Sequence, residues 1–224
     1  MNFKFFNKPH GFELVVKGED FKYLFKVRRH KVGDTLYFRE RQNCEVLYKY
    51  EVQSIESRKA ILELKDSTID VVVPKHKLHI AWCVIDDKSI ERVLPLLNEI
   101  GVDAITFIYC DRSQNSIKID FNRLERILES SMQQCGRSQM MKLSCVDSLE
   151  EFLNSHEDAY IFDFCQTTFE VGENRPNTIV VGCEGGFTDS ERELFKNHEV
   201  RRLNTPNILK SQTATVSIAS MILL

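Results

Sequence analysis

The spacing of apolar residues changes near Pro74, and this change limits the possible folds more than any other feature of the sequence. Before it, short β-branched and aromatic runs such as FELVV, DTLYF, CEVLYKYEV and AILEL are separated by polar clusters, which is typical of antiparallel strands. After it come near-continuous apolar runs of the length expected for strands buried on both faces. These runs lie at 78–85, 104–109, 159–164 and 178–183. We therefore predict two domains, a small antiparallel β-barrel at residues 1–73 and a second domain at residues 74–224.

Helical patterns lie between the later apolar runs. Apolar residues at helical spacing extend from 90 to 100, with Ser89 as the expected start and Gly101 as the expected stop. Pro95 inside this pattern predicts a kink or a later start. Two further apolar stripes lie at 124–132 and 213–224. Strands that alternate with helices predict an α/β fold with a mostly parallel sheet. Because knots are rare, the pattern alone favours an unknotted, doubly wound sheet.

Composition excludes several other classes of protein. Apolar residues make up 42% and charged residues 28% of the chain, which is the balance of a globular protein. No uncharged apolar run reaches membrane-spanning length, and the N-terminus lacks the apolar core of a signal peptide, so we expect a cytoplasmic protein. The 7 cysteines are odd in number and include no CxxC pair, which indicates neither a disulfide framework nor a metal site.

The charge is unevenly distributed along the chain. Residues 1–73 carry 14 Lys and Arg against 11 Asp and Glu, whereas residues 74–224 carry 16 against 22. A basic front half indicates a polyanionic partner. The excess is concentrated in KYLFKVRRHK, where aromatic residues alternate with cations. Aromatic rings stack on bases while cations meet phosphates, so this segment is a candidate RNA-binding surface, the alternative being a solvated face of an amphipathic segment. The candidate RNA-binding residues are Lys22, Lys26, Arg28, Arg29 and Lys31.

A glycine-rich turn in the stretch IVVGCEGGFTDSERELF joins an apolar strand to a helix. Gly182 opens the turn, and Gly185-Gly186 leaves the backbone bare just before the helix. The spacing of Thr188 and Glu191 predicts a capping box at the helix start. Ligands of open α/β sheets bind at the carboxyl ends of strands, so the turn is a candidate binding site, the alternative being a turn that only connects. It matches neither a Walker loop nor GxGxxG.

A second turn of this kind follows a strand-like fragment at 200–203. Asn204 and Asn207 lie in the turn, and the residues SQT precede an apolar helix. Two such turns after short strands are expected to face one another and to hold a small molecule with main-chain groups. Upstream, the segments CDRS and QQCGRSQ supply Arg112 and Arg137 as candidate functional arginines, although arginines on loops are often only solvated.

The ordered set CDRS, QQCGR, VGCEGGFTDSE and LNTPNILKSQTA, behind a basic β-rich N-terminus, resembles the ribosomal RNA small subunit methyltransferase E family over essentially the whole chain. The resemblance implies a PUA-like β-barrel at residues 1–73 that holds RNA, and a SPOUT-type α/β domain with a deep trefoil knot at residues 74–224. It also implies a homodimer that uses S-adenosylmethionine to methylate N3 of one uridine in 16S ribosomal RNA, free or within the small ribosomal subunit.

The resemblance places the cofactor in the two turns. Main-chain groups of Leu203, Ile208 and Leu209 are expected to hold the adenine, the glycines to let the cofactor approach, and Ser211 and Thr213 to offer hydroxyls. The full set of cofactor-binding candidates is Val181, Gly182, Glu184, Gly185, Gly186, Leu203, Asn204, Asn207, Ile208, Leu209, Ser211 and Thr213.

Three side chains are candidates for catalysis. Uracil N3 must lose its proton, and Glu184 is expected to orient the base or to accept that proton. The alternative is that its carboxylate caps its own loop by accepting main-chain N–H groups. Arg112 and Arg137 are expected to stabilise negative charge on the uracil oxygens or to bind phosphate.

The sequence departs from the family pattern at five positions. Cys183 replaces the usual proline, Asn204 a glycine, Asn207 and Lys210 two arginines, and Gln212 a glutamate. Neither asparagine nor lysine reproduces a bidentate guanidinium. An alternative function is therefore an RNA-binding or ribosome-assembly protein with decayed cofactor loops. A third, a small-molecule α/β enzyme that uses another nucleotide, would not need a basic barrel.

Overall fold

The computed structural model describes residues 2–6, 11–114, 116–170, 172 and 175–224. The chain divides into two compact units. The first comprises Met1–Val73 and Met132–Gln139, and the second comprises Pro74–Ser131 and Met140–Leu224. The first unit therefore includes a short segment that is distant in sequence.

The first unit contains a five-stranded sheet and one helical segment. Its strands are β1 Lys4–Phe5, β2 Glu13–Lys17, β3 Thr35–Arg39, β4 Val46–Ile55 and β5 Lys59–Ile69. The sheet order is β1-β3-β4-β5-β2, with β1 parallel to β3 and the other pairs antiparallel. The register shifts between Lys49/Tyr50 and Val52/Ser54 on β4, and such bulges bend a strand and increase its twist. The short apolar runs therefore form strands, as the sequence predicted.

Alternating side chains of these strands build the core of the first unit. Tyr50, Val52 and Leu62 have no solvent exposure, and Val52 lies directly opposite Leu62 across β4 and β5. The buried Tyr50 hydroxyl donates a hydrogen bond to the Gly11 carbonyl at 2.6 Å, which satisfies its polar end.

The first part of the basic segment, up to Val27, is helical. Helix α1, Gly18–Phe21, continues as a π-helical stretch at Lys22–Val27. This geometry turns Leu24 and Phe25 into the core and leaves the cations exposed. Among the aromatic residues that alternate with these cations, Phe25 is therefore part of the core and not available to RNA bases, because it is 7% exposed.

The second unit is an α/β layer structure with a wholly parallel six-stranded sheet. Its strands are β6 His79–Cys83, β7 Ala104–Ile108, β8 Lys142–Val146, β9 Tyr160–Phe162, β10 Thr178–Val181 and β11 Glu199–Arg201, and its helices are α2 Asp87–Ile100, α3 Phe121–Cys135, α4 Leu149–Ser155, α5 Asp189–Glu193 and α6 Ser211–Leu223. The last turn of α3 belongs to the first unit. The strand order is β11-β9-β10-β6-β7-β8. Strand addition therefore reverses direction between β8 and β9, as in a doubly wound sheet.

The predicted central strands are buried on both faces. Ile80, Trp82 and Phe107 have no solvent exposure, as expected for the middle of a parallel sheet covered by helices. Among the described residues, none forms a helix that is long and apolar enough to cross a membrane.

Helix α2 begins earlier than the sequence predicted. Its N-cap is Asp86, which accepts a hydrogen bond from the Ser89 main-chain N–H at 2.9 Å, and the helix continues past Pro95. The predicted stop at Gly101 is confirmed: its φ is 109°, a conformation that favours glycine. A Cβ at this position would also lie 2.9 Å from Pro74 Cγ.

Three features were not predicted. Strand β8 and helix α4 lie at the sheet edge, where half-exposed residues obscure the apolar pattern. Ser148 caps α4 by accepting a hydrogen bond from the Glu151 N–H at 3.1 Å. Cys83 and Cys110, at the carboxyl ends of β6 and β7, form a disulfide with a Cα–Cα distance of 5.8 Å. The sequence indicated no disulfide framework and gave no sign of this single bridge, which depends on strands that neighbour only in the folded sheet.

A histidine cluster lies at the opposite, amino end of the sheet. His79 Nε2 and Thr106 Oγ1 are 2.7 Å apart, and the His79 ring contacts His156 with a centroid distance of 5.2 Å. Burial, together with repulsion from His156, lowers the pKa of His79 from 6.5 to about 4.

Candidate methyl-donor cleft

A cleft of about 560 Å³ opens at the carboxyl ends of three neighbouring strands of the second unit. Its walls are the segments that follow β9, β10 and β11, together with Arg112 from the loop after β7. The volume lies within the range of roughly 300–1,000 Å³ that is usual for small-molecule sites. The two turns that the sequence singled out both line this cleft.

The first turn is shaped by an internal hydrogen bond and by one left-handed residue. The Gly186 N–H donates to the Cys183 carbonyl at 3.0 Å, and Gly186 has a φ of 65°, which glycine adopts without steric cost. Cys183 is buried, and this burial raises the pKa of its thiol. The turn therefore presents Glu184 and Gly185 to solvent at its tip.

Arg112 holds this turn from the side. Its Nη1 donates to the Gly185 carbonyl at 2.7 Å and to the Phe187 carbonyl at 3.2 Å. A Cβ at Gly185 would lie 3.1 Å from the Arg112 Cβ, and a Cβ at Gly182 would lie 3.2 Å from the Phe187 ring. The space beside each glycine is thus occupied by the protein's own side chains. Close packing within the fold therefore favours glycine at both positions, and their part in admitting a cofactor stays a prediction.

The helix after the turn is fixed by the capping box that the sequence predicted. Thr188 Oγ1 accepts from the Glu191 N–H at 3.2 Å, and the Glu191 carboxylate accepts from the Thr188 N–H at 2.8 Å. The same two side chains bind Asp111: its N–H donates to Glu191 at 2.9 Å, and Thr188 Oγ1 donates to its carboxylate at 2.9 Å. The capping box therefore also anchors the loop that carries Arg112.

The start of α6 is joined to the first turn through Ser211. The Ser211 hydroxyl donates to the Gly182 carbonyl at 2.5 Å and accepts from Trp82 Nε1 at 2.8 Å. Ser211 lines the cleft, but its hydroxyl is used within the fold. The sequence expectation that this hydroxyl binds a cofactor stays a prediction.

The second turn offers main-chain donors and an apolar wall. Within the described part of the chain, the N–H groups of Ile208 and Leu209 have no hydrogen-bond partner. Leu203, Ile208, Leu209, Ala214 and Ile218 all line the cleft. Free amides beside apolar side chains can hold a flat heteroaromatic ring by its edge and its faces.

The structure brings most, but not all, of the predicted cofactor residues to the cleft. Those that line it are Val181, Gly182, Glu184, Gly185, Gly186, Leu203, Asn207, Ile208, Leu209 and Ser211. Asn204 and Thr213 are exposed and do not line it. Among the positions that depart from the family pattern, Cys183, Asn207 and Lys210 line the cleft and Gln212 does not.

The catalytic candidates occupy different places. Arg112 and Glu184 line the cleft. The Glu184 carboxylate is exposed and, among the described residues, has no hydrogen-bond or ion-pair partner, so it does not cap its own loop. Arg137 belongs to the segment that groups with the first unit, is 4% exposed, and does not line the cleft.

Sequence reasoning missed the third wall, which follows β9. Asp163 is nearly buried, with 6% of its side chain exposed, and pairs with Arg192 Nε at 2.8 Å. This hydrogen bond raises the pKa of Arg192 above its usual value. The available signal was an acidic residue directly after a buried strand in AYIFDF. The described residues contain no group of three or more His, Cys, Asp or Glu side chains that could hold a metal ion.

Comparison with known proteins identifies the class. Residues 73–223 match the family described as RNA methyltransferase domain, so the parallel sheet and its cleft are those of an RNA methyltransferase. The chain is 36% identical over 211 residues to the ribosomal RNA small subunit methyltransferase E of Helicobacter pylori strain 26695, covering 93% of each protein. The chain belongs to the ribosomal RNA small subunit methyltransferase E family.

Two solved structures share the fold. A methyltransferase of Legionella pneumophila in complex with bound SAM has a TM-score of 0.76 and 19% identity, with coverage of 98% of this chain and 95% of the other. A ribosomal RNA small subunit methyltransferase E of Neisseria gonorrhoeae bound to S-adenosyl methionine has a TM-score of 0.75 and 16% identity, with coverage of 98% and 96%.

Proposed function

We propose that this protein transfers a methyl group from S-adenosylmethionine to N3 of a uridine in 16S ribosomal RNA. The observation that carries the proposal is the cleft of about 560 Å³ formed by the turns after β9, β10 and β11. Family membership supports the same conclusion, because the relatives are named as ribosomal RNA small subunit methyltransferases.

The residues of the cleft fit the methyl donor. The free amides of Ile208 and Leu209 and the apolar side chain of Leu203 suit an adenine ring, and the exposed carboxylate of Glu184 suits a cationic neighbour. When bound, S-adenosylmethionine supplies a methyl group on a positively charged sulfur. The protein's own contribution is to hold the acceptor nitrogen in line with that group.

We assign the handling of the proton to Glu184. Uracil N3 becomes nucleophilic when its proton leaves, and the free Glu184 carboxylate accepts that proton or orients the base. Arg112 already donates to two carbonyls of the turn, so we assign it to positioning the turn beside Glu184. A direct role of Arg137 in charge stabilisation stays a prediction. Arg137 is buried and does not line the cleft.

The remaining parts of the proposal concern architecture. The five-stranded sheet with bulges in β4 supports a PUA-like barrel at residues 1–73, and the exposed cations at 22–31 support RNA binding there. For residues 74–224 we propose a SPOUT-type domain with a trefoil knot near its C-terminus. A homodimer in the cytoplasm, acting on 16S ribosomal RNA or the small ribosomal subunit, completes the proposal.

The alternative, an RNA-binding or assembly protein with decayed cofactor loops, is disfavoured. Three of the five departures from the family pattern line the cleft, yet the cleft is open and its free amides are main-chain groups that side-chain replacement does not remove.

A direct assay tests the function. Small ribosomal subunits and 16S ribosomal RNA from a strain lacking this gene are incubated with the purified protein and S-adenosylmethionine, and nucleosides are analysed by mass spectrometry. We expect one 3-methyluridine per RNA molecule. Donor binding by calorimetry without any methylated nucleoside would favour a different acceptor, and absence of both would favour the assembly protein.

A further inference from the structure

One aromatic side chain at the cleft is exposed although the backbone around it is fixed. Three aromatic side chains line the cleft: Phe187 is 1% exposed, Phe162 is 8% exposed, and Phe164 is 72% exposed. Phe164 is the second residue after strand β9, which ends at Phe162. A single exposed phenylalanine is ordinary on a protein surface, so its surroundings decide whether it has a function.

Both neighbours of Phe164 are anchored. The Asp163 N–H donates to the Arg201 carbonyl at 3.1 Å, and its carboxylate pairs with Arg192 at 2.8 Å. On the other side, Cys165 Sγ donates to the Val200 carbonyl of β11 at 3.6 Å. The segment is joined again just after β11, where the Arg202 N–H donates to the Thr167 carbonyl at 2.9 Å. Hydrogen bonds on both sides therefore fix the backbone that carries the exposed ring.

The surroundings of the ring suit a nucleotide. Ile208, also at the cleft, is 82% exposed. Arg202 lines the same cleft, is exposed, and among the described residues has no side-chain partner. The charged residues that line the cleft are four cations and two anions, Arg112, Arg192, Arg202, Lys210, Asp163 and Glu184. A locally cationic site within an acidic half of the chain suits a polyanion.

We propose that Phe164 is the stacking platform for the target nucleobase, with Arg202 contacting an adjacent phosphate. The inference rests on the proposed function. A base that presents N3 for reaction must leave its stack, and it loses stacking energy in doing so. An aromatic ring held beside the reacting site restores part of that energy, since stacking needs only the π-face of the base.

Substitution of Phe164 separates RNA binding from donor binding. In Phe164→Ala we expect the dissociation constant of S-adenosylmethionine, measured by calorimetry, to stay within about twofold, while kcat/KM for 16S ribosomal RNA falls about tenfold or more, the usual effect of losing one base–aromatic stack. Phe164→Trp should restore kcat/KM for 16S ribosomal RNA. The matched control is Leu96→Ala, because Leu96 is 44% exposed, lies on α2 of the same unit and does not line the cleft.

A spectroscopic measurement reports stacking directly. The sequence contains one tryptophan, Trp82, which has no solvent exposure, so an indole introduced by Phe164→Trp is distinguishable by its exposed emission. With S-adenosylhomocysteine present to prevent turnover, oligouridine should quench this emission. The same length of abasic ribose-phosphate should not, and Arg202→Ala should weaken oligouridine binding more at low salt than at high salt.

The outcomes distinguish the inference from the proposed function. Loss of donor affinity in Phe164→Ala would place the ring in the donor pocket, and unchanged kcat/KM for RNA or equal quenching by the abasic chain would remove it from base recognition. Each of these three outcomes overturns the inference about Phe164 but does not contradict the proposed function. Failure of the unaltered protein to bind the donor and to methylate RNA would instead overturn the proposed function.

Discussion

Arg112 donates a hydrogen bond of 2.7 Å to the main-chain carbonyl of Gly185, 73 residues away in the sequence. The contact joins the loop after β7 to the turn after β10, two strands separated in the sheet by β6. The same guanidinium reaches the Phe187 carbonyl. The turn that carries Glu184 is therefore held by a side chain from elsewhere in the sheet as well as by its own glycines.

Removal of Arg112 should weaken donor binding more than catalysis. In Arg112→Ala two charge-assisted hydrogen bonds to the turn are lost, and such bonds are worth about 1.5–3 kcal/mol. We expect calorimetry to show an increase of at least tenfold in the dissociation constant of S-adenosylmethionine. Arg126→Ala is the control, because Arg126 is exposed and, among the described residues, bonds only to Asn122 within its own helix. Unchanged donor affinity with a reduced kcat would instead support direct action of Arg112 on uracil.

Neutralising Glu184 should weaken catalysis more than donor binding. Glu184→Gln removes the proton acceptor but keeps the size of the side chain, so we expect kcat to fall by about 10²-fold or more with little change in donor affinity or melting temperature. Single-turnover methylation at saturating S-adenosylmethionine measures the effect. Glu150→Gln, exposed on α4, serves as the matched control. Wild-type rates in Glu184→Gln would leave the carboxylate without a catalytic role.

The exposed cations of the first unit should set the salt dependence of RNA binding. Arg28 and Arg29 are exposed, and replacing both with alanine should reduce the slope of log affinity against log salt by about 1.4–1.8, since each phosphate contact contributes roughly 0.7–0.9. Lys59 and Lys65 provide the control pair, because each already pairs with a glutamate. If the slope of log affinity against log salt is unaltered by the double arginine substitution, the segment is only a solvated surface and does not bind RNA.

Stability should fall in mild acid because of His79. Its pKa is about 4 in the fold against 6.5 unperturbed, so the unfolded chain binds more protons between these values. The stabilisation is present above pH 6.5 and is lost as the pH falls towards 4. The unfolding free energy should change by less than about 1.4 kcal/mol per pH unit, which is the limit for one proton. We expect a smaller change than this limit because the ring is partly exposed. Urea unfolding at several pH values measures it, and His79→Gln should flatten the profile in this window.

Arg137 should contribute to the stability of the fold. The sequence made it a candidate catalytic arginine, but a residue that is 4% exposed is part of the interior of the first unit. We expect Arg137→Ala to lower the unfolding free energy on the order of 1–3 kcal/mol, seen as a lower melting temperature. Arg58→Ala, at an exposed position, should have no such effect. Normal stability with lost methyl transfer would return Arg137 to the catalytic set.

The sequence by itself determined the features that depend on near neighbours. Apolar spacing predicted the buried strands around Trp82 and Val180. Gly101 predicted the end of helix α2, and the Thr188–Glu191 spacing predicted a capping box. Each of these requires only residues within about one helical turn or one strand, because backbone geometry repeats over that distance.

Tertiary structure decided everything that depends on strand order. The Arg112–Gly185 contact, the Cys83–Cys110 bridge and the Asp163–Arg192 pair join residues that the sheet brings together. The inward turn of Phe25 and the outward projection of Phe164 also depend on packing, since an aromatic residue has the same local pattern in a core and in a binding site. Local periodicity thus defined the strands and helices, whereas the order of the parallel strands placed the side chains around the cleft.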